Sequence, residues 1–509
     1  MNNNQDLKRL RAFAALSAVL CLHGASAALG QMGQPVEKVV SADDLVRIAL
    51  TNNLDIQISK LQPDVDEFAI NGLYGAYEPT LSMNATHSYD SQPGGVAETS
   101  GVTIEEPATL YRNDSYTPTL QGALPTGLTY NLTGNLSYSD VTYFPRQYEA
   151  DQPGPGISID QPLLKNLWID NTRYTISVAK NTLRTDQQSF RLKVMTVIFN
   201  VKTAYYSLIY AREDLRVQQE GLGLKVQTVS DDKQKVRFGS MRPLDEKQAE
   251  SEAASARSLV QTSLINVEQQ ENTLKSLLAF HLGELDNFTL IPAEQLIAVP
   301  QHPQNQECWR TGLEQRPEMI QAKLAIEKQH VTIKYDFNQL FPQLDVTGSY
   351  GRNAADLTLS DTAGDIQAGN HPYYSYGVVL TVPLGNSKAR YNYKSDKANL
   401  QSLLLQAKKE EWTIVVAIDN DIKSIEADLL KIEYTREARI YAEQALAAGE
   451  DELKEGKAIN FEVLQYQDNL TSARSAEISA LADYNTALEQ LALDEGATLK
   501  RNHIEVRFR

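Results

Sequence analysis

From Phe190 onward the apolar residues Val194, Val197, Val201, Ala204, Leu208, Ala211 and Leu215 recur at steps of four and three, and the series continues to Leu222, Val226 and Val229. A mean step of 3.5 residues marks the seam of a left-handed coiled coil. Val260, Leu264, Val267, Leu274 and Leu278 repeat the pattern, as do Val415, Ile418, Ile422, Ile425, Leu429 and Ile432. Four long helices per chain are therefore predicted to lie side by side. The run from about Asn171 to Phe238 predicts a helix of roughly 100 Å. That is about three times the hydrocarbon thickness of a bilayer, and charges along its length place it in water.

Between Pro79 and Leu163 the period shortens to two, with Leu81, Met83 and Ala85 on one face of a strand and Leu128, Tyr130, Leu132 and Gly134 on another. A briefer set follows in Leu344–Tyr350 and Tyr376–Val382, and the Asp361–Gly369 stretch between them reads as a solvated loop. The first set carries an additional strand-like pair, Tyr116–Leu124 and Thr126–Ser139, joined at Pro125 and Thr126, and a loop from about Ser91 to Asn113. The strand count thus stays open above four per chain, the pair being either wall or an external or periplasmic hairpin. Strands of roughly ten residues suit a tilted membrane strand. Tyr138, Tyr143, Phe144, Tyr373 and Tyr374 fit interfacial aromatic girdles, the surface of a solvated β-domain being the alternative.

The two sets belong to an internal duplication. Ala49–Lys60 aligns with Gly312–Lys323, Pro79-Thr80-Leu81 with Pro342-Gln343-Leu344, Gln161-Pro162-Leu163 with Val382-Pro383-Leu384, and Ser255–Ser258 with Ser472–Ser475, bringing Gly239 onto Gly456. Four matches in one order argue for repetition. The reading divides the chain into a signal peptide (1–27), a first repeat (28–290) with strands in 79–163, a link (291–310), a second repeat (311–493) with strands in 343–384, and a C-terminal tail (494–509). Ser41 and Asp44 predict a capping box at the first helix, and Lys500, Arg501, Arg507 and Arg509 read as a frayed tail.

Lys8, Arg9 and Arg11, an apolar run to Leu22 and Ala25-Ser26-Ala27 have the layout of a cleaved secretory signal. Its removal takes Cys21 and leaves Cys308 alone, so no internal disulfide is available. The formal charge of −17, less three basic and one acidic signal residues, becomes −19, which disfavours nucleic acid. No later stretch is apolar enough for a membrane-spanning helix, so any membrane passage is by β-barrel. Four strands cannot close a barrel, since the smallest closures use about eight. Several copies would be needed, and the same symmetry would gather their helices into a tube. His281, His302 and His330 lack metal-ligand spacing, and no phosphate loop or nucleophile elbow occurs. No cofactor, metal or enzymatic activity is expected.

In its Asn52–Ile56 segment and repeat partner, the Pro79 and Pro342 strand entries, the Pro162-Leu163 and Pro383-Leu384 exits and the glycine-centred helical turns, the chain resembles the TolC-like outer-membrane efflux protein family from about Ser41 to Leu493. The resemblance implies a fold of mixed α and β, duplicated, with long coiled-coil α-barrel helices and strands contributed to an oligomeric membrane β-barrel. It further implies a homotrimer with a twelve-stranded barrel in outer-membrane lipid and a periplasmic α-barrel, docked by an adaptor (membrane fusion) protein and an inner-membrane pump. The expected role is the passive exit duct of a tripartite efflux or type I secretion system in a Gram-negative outer membrane. An exported coiled-coil scaffold or adhesin with a soluble β head is the alternative, and a periplasmic enzyme or binding protein a remoter one.

By that resemblance the periplasmic constriction falls on Glu462 and Gln465, with Asp245 and Gln248 in the first repeat. Only one acidic position of each pair keeps its charge, and the family's basic residue after the glycine falls on Ala458. Three Glu462 copies around an axis would favour cations; a solvated surface carboxylate is the plain reading. The tips Gly239, Ser240, Met241 and Arg242, and Gly456, Lys457 and Ala458, would end the helices, and the resemblance adds adaptor docking.

Overall fold

The computed structural model describes residues 36–141, 152–279, 288–354 and 359–508. The signal segment, Tyr143, Phe144 and His281 lie outside the described residues. The helices are α1 (Ala42–Asn52), α2 (Leu54–Tyr74), α3 (Asn171–Arg237), α4 (Pro243–Leu278), α5 (Asn305–Gln315), α6 (Pro317–Gln339), α7 (Leu359–Ala368), α8 (Ser387–Lys454), α9 (Asn460–Asp494) and α10 (Thr498–Arg501). The strands are β1 (Val36–Val40), β2 (Thr80–Gln92), β3 (Gly95–Thr99), β4 (Val102–Glu106), β5 (Thr109–Ala123), β6 (Thr129–Thr133), β7 (Leu136–Val141), β8 (Gln152–Pro162), β9 (Phe288–Pro292), β10 (Gln343–Ala354) and β11 (Pro372–Thr381). The repeat is visible in the long elements: α3 and α8 have 67 and 68 residues, α4 and α9 have 36 and 35.

Contacts divide the described chain into two units, each drawing on both repeats. The first holds 36–54, 196–279, 288–302 and 421–493; the second holds the remainder. In the first unit four helices pack in the row α4, α3, α9, α8. Heptad residues such as Val201, Leu208, Ala249, Leu274, Ile422 and Ile425 are buried in it, each large one contributing about 1.5–3 kcal/mol. Beyond Ala211 the seam rotates. Val226 is exposed, while Val217, Lys225 and Asp232 are buried instead, as expected where a straight helix drifts from a 3.5-residue repeat. Lys225 bridges Glu252 on α4 and Asp468 on α9, and Asp232 accepts from Asn460 Nδ2 at 2.6 Å. Asp214 on α3 likewise accepts from Ser263 on α4 and Ser475 on α9. The link strand β9 pairs in parallel with β1. Two buried tyrosines pin the link region: Tyr205 Oη donates to Val40 O at 3.2 Å, and Tyr484 Oη donates to Val299 O at 2.7 Å.

The second unit has its own helix row, α2, α3, α6, α8. Lys193 pairs with Asp55 between α2 and α3, Tyr174 stacks on Tyr335 at 4.4 Å between α3 and α6, and Gln329 donates to Asp396 between α6 and α8. Ser41, in the first unit, caps α1 as expected, accepting from Asp44 N at 3.2 Å.

Several expectations are corrected. The segment read as a solvated loop at 361–369 is mostly helix α7. Gly369, at φ +74, ends it, and Arg352 Nη1 donates to Ile366 O at 2.8 Å, so the glycine marks a helix C-terminus and not a loop. The C-terminal segment is packed as far as Leu499: Thr498 and Leu499 are buried and Arg501 pairs with Glu495. Lys500, Arg501 and Arg507 are exposed, the Phe508 ring stands edge-on to Phe190 at 5.9 Å, and Arg509 lies outside the described residues. Cys308 on α5 is buried, and burial, with Glu495 beside it, pushes its thiol up to about 12.

Candidate functional site

The second unit carries one antiparallel sheet in the order β11, β10, β8, β6, β5, β2, with β7 continuing the β6 position beside β5. The break between β6 and β7 lies opposite Pro118, which has no N–H to give the ladder; Gly134 N donates to Pro118 O at 2.8 Å. The sheet of one chain therefore has six strand positions, two more than the four per chain that a twelve-stranded trimer implies. The extra pair seen in the sequence is β5 with β6 and β7, and the hairpin β3–β4 occupies part of the loop before it.

Register sorts the side chains onto two faces of opposite chemistry. One rung across all six positions reads Thr80, Gln121, Asn131, Ser158, Ser349, Ser375. The adjacent rung reads Leu81, Leu120, Leu132, Ile157, Tyr350, Tyr374. Neighbouring rungs keep the alternation: Ser82 and Thr119 join the first face, Met83 and Pro118 the second. The apolar face is open, with Leu81, Ile157, Tyr374, Tyr376 and Val378 all exposed. A soluble sheet would bury such a face; a membrane strand points it at lipid. Tyr373 departs from the girdle expectation. It lies on the polar face, over Gly351 and Gly156, where any Cβ would strike its ring.

Both ends of the sheet are unpaired, at β2 and β11. The helix row beside it ends the same way. On α2, which runs into β2, Ile58, Leu61, Val65 and Phe68 form an exposed seam at steps of three and four. On α8, which follows β11, exposed Tyr391, Leu405 and Trp412 lie seven or fourteen residues apart. In the sequence the α2 seam is hidden by the shortness of that helix, and the α8 seam by lying off the heptad positions that α8 buries.

Strand exits use matching backbone devices. Asn166 and Asn386 both have positive φ, at 67° and 40°. Asn338 then ties the first exit to α6, its Oδ1 accepting from Asn166 N at 2.7 Å, while Asn386 Nδ2 donates to Leu340 O at 3.2 Å. Arg173 closes the first junction through Asp170 and the carbonyls of Asn166 and Leu167.

In the first unit, the two tips are built alike. Gly239 and Gly456 have φ of +78° and +77°. Ser240 N donates to Lys235 O and Gly239 N to Val236 O; Lys457 N donates to Glu452 O and Gly456 N to Leu453 O. This paired bonding is the Schellman cap. Asp245 and Glu462 occupy the same place beyond it, in the first turn of the return helix. Asp245 is held by the Arg242 guanidinium at 2.8 Å, which keeps its carboxyl below the usual range. Glu462 is exposed and accepts from Ile459 N at 3.2 Å, half of a capping box. Gln465 is exposed and donates to Asn469; Gln248 is half-buried. Met241 and Ala458 are half-buried, and Lys457 is exposed beside Glu455. Phe238, Leu244, Ile459 and Phe461 stand exposed around the turns; their placement off the heptad seam was the available signal. Among the described residues no cluster of His, Cys, Asp or Glu is arranged to hold a metal.

Residues 310–494 match the family model of the outer membrane efflux protein. That segment, which spans the second repeat, is similar to the family. The efflux-protein fold extends past the matched segment. The open state of the Neisseria gonorrhoeae MtrE outer membrane channel shares it at 18% identity and TM-score 0.64, over 93% of this chain and 98% of that one. The Campylobacter jejuni CmeC outer membrane channel does so at 15% identity and TM-score 0.63, over 93% and 91%. The outer membrane protein VceC of Vibrio cholerae follows at 15% identity and TM-score 0.65, over 89% and 96%. Among curated proteins none matches the sequence.

Proposed function

We propose that three copies of the chain form an outer-membrane channel, the passive exit duct of a tripartite efflux or type I secretion system. The observation that carries this reading is the two-faced sheet with both edges unpaired. An open sheet edge invites pairing with another chain. An apolar rung beside a polar rung suits lipid outside and water inside. Head-to-tail contact of the β2 and α2 edge of one copy with the β11 and α8 edge of the next is heterologous, and such contacts form a ring where the rotation between copies closes. The exposed α2 and α8 seams favour the same pairing.

In this reading the chain performs no bond chemistry. Glu462, supported by Gln465 and by Asp245 and Gln248, lines the periplasmic entrance, and the exposed tip residues Phe238, Leu244, Ile459 and Phe461 give the glycine turns an apolar surface for a periplasmic adaptor. The test is to express the full chain in a Gram-negative host and assay isolated outer membranes for a detergent-extracted oligomer that conducts ions in a planar bilayer. A soluble, non-conducting monomer would replace the duct with the coiled-coil scaffold.

A further inference from the structure

The hairpin of β5 with β6 and β7 sits in the middle of the sheet, between β2 and β8. Along the rungs that cross all six positions it obeys both face rules of its neighbours: Gln121 and Asn131 continue the polar rung, Leu120 and Leu132 the apolar one. Charge enters the apolar face only farther along, at Arg112, Asp140 and Asp114, the last paired with His87. A hairpin lying outside the wall would need neither. Its polar face is also uncharged, with Thr117 donating to Asn135 and Ser139 to Asn113. Lifting it out would leave β2 antiparallel to β8, with Thr80 and Ser158 still on one face. The hairpin therefore behaves as a unit inserted into a wall that is complete in pattern without it.

Resting on the channel reading above, we propose that this hairpin is part of the membrane wall, so that the closed barrel has eighteen strands and admits solutes too large for a wall of four strands per chain. Six positions from each of three copies give eighteen. Barrel diameter grows roughly linearly with strand number, so the mouth is about 1.5 times as wide as a twelve-stranded one. The hairpin is then the element that sets the size limit of the outer mouth, while the tips in the first unit set the entrance. The consequence concerns the bulk of the cargo and leaves its charge to other residues.

Two measurements test this on the full chain. Single-particle imaging of the oligomer extracted from outer membranes counts strands in the barrel section; eighteen is expected. Twelve strands, with the hairpin folded off the wall or with two copies closing the ring, overturns the proposal and leaves a channel. No closed barrel at all overturns the channel reading beneath it. The second measurement adds polyethylene glycols of graded size to the outer side only, so that the entrance at the tips does not limit their access, and compares wild type with a variant lacking 109–141. The largest polymer that lowers conductance should have a hydrodynamic radius about 1.5 times larger in wild type. An equal cutoff overturns the proposal, and the strand count stands as the test if the deletion does not assemble.

Discussion

The two-faced sheet makes a sharp demand on two adjacent residues. Ile157 stands in the middle of β8 on the apolar rung, and Ser158 stands beside it on the polar rung. Lysine at Ile157 would place a charge near the centre of the lipid-facing wall, at a cost of roughly 2–4 kcal/mol per copy. Around a ring of three copies the cost reaches roughly 6–12 kcal/mol, comparable to the whole stability of a typical domain. Lysine at Ser158 would project into the aqueous interior among Asn131 and Ser349 and should cost little. The assay is the fraction of each variant recovered from outer membranes as an extraction-resistant oligomer, followed by urea unfolding in lipid vesicles. Ile157→Lys should lose most of the assembled form, and Ser158→Lys should keep it and shift ion selectivity toward anions. Equal losses, or a greater loss for Ser158→Lys, would refute the assignment of faces.

The remaining predictions concern the helices. Burial, reinforced by Asp66, pushes Asp186 up to about 6, against a smaller opposing effect of Lys328; burial and Asp396 do the same to Asp336. A carboxyl raised in the folded state binds its proton more tightly there than when unfolded, so stability falls as pH rises from about 4 through 6. Asp186→Asn and Asp336→Asn should each raise Tm at pH 7.5 and lose that advantage near pH 4.5; the same gain at both pH values would count against the linkage. Glu462→Ala should raise single-channel conductance or weaken cation preference, and unchanged values in planar bilayers would remove Glu462 from the entrance. Gly456→Val forces a β-branched side chain to φ +77°, costing about 1–3 kcal/mol, visible as a lower thermal midpoint; an unchanged midpoint would mean the turn relaxes into another form.

Long-period features were legible because they are written many times over. Phe190 through Ala211 announced α3 with seven residues on the pattern, and all seven are buried. Features fixed by a single backbone event were less legible. Gly369 carried the same letter whether it closed a helix or opened a loop, and only its bond to Asp365 O decides. The sheet lay between these cases. Alternation in β5 and β6 showed strands, yet their position between β2 and β8 depends on long-range pairing that no local pattern encodes. The two acidic tip positions came from the family resemblance, carried to the first repeat by the internal duplication, and their capping geometry was hidden because the partners are a backbone N–H group and the neighbouring Arg242.

Cys308 has one more use. Thiol reagents attack the thiolate, and a thiol pushed up to about 12 and enclosed by α5 and Glu495 supplies almost none at neutral pH. Its slow labelling would serve as an internal clock for opening of the second unit, and cysteines introduced at the tips would react first, against a silent background.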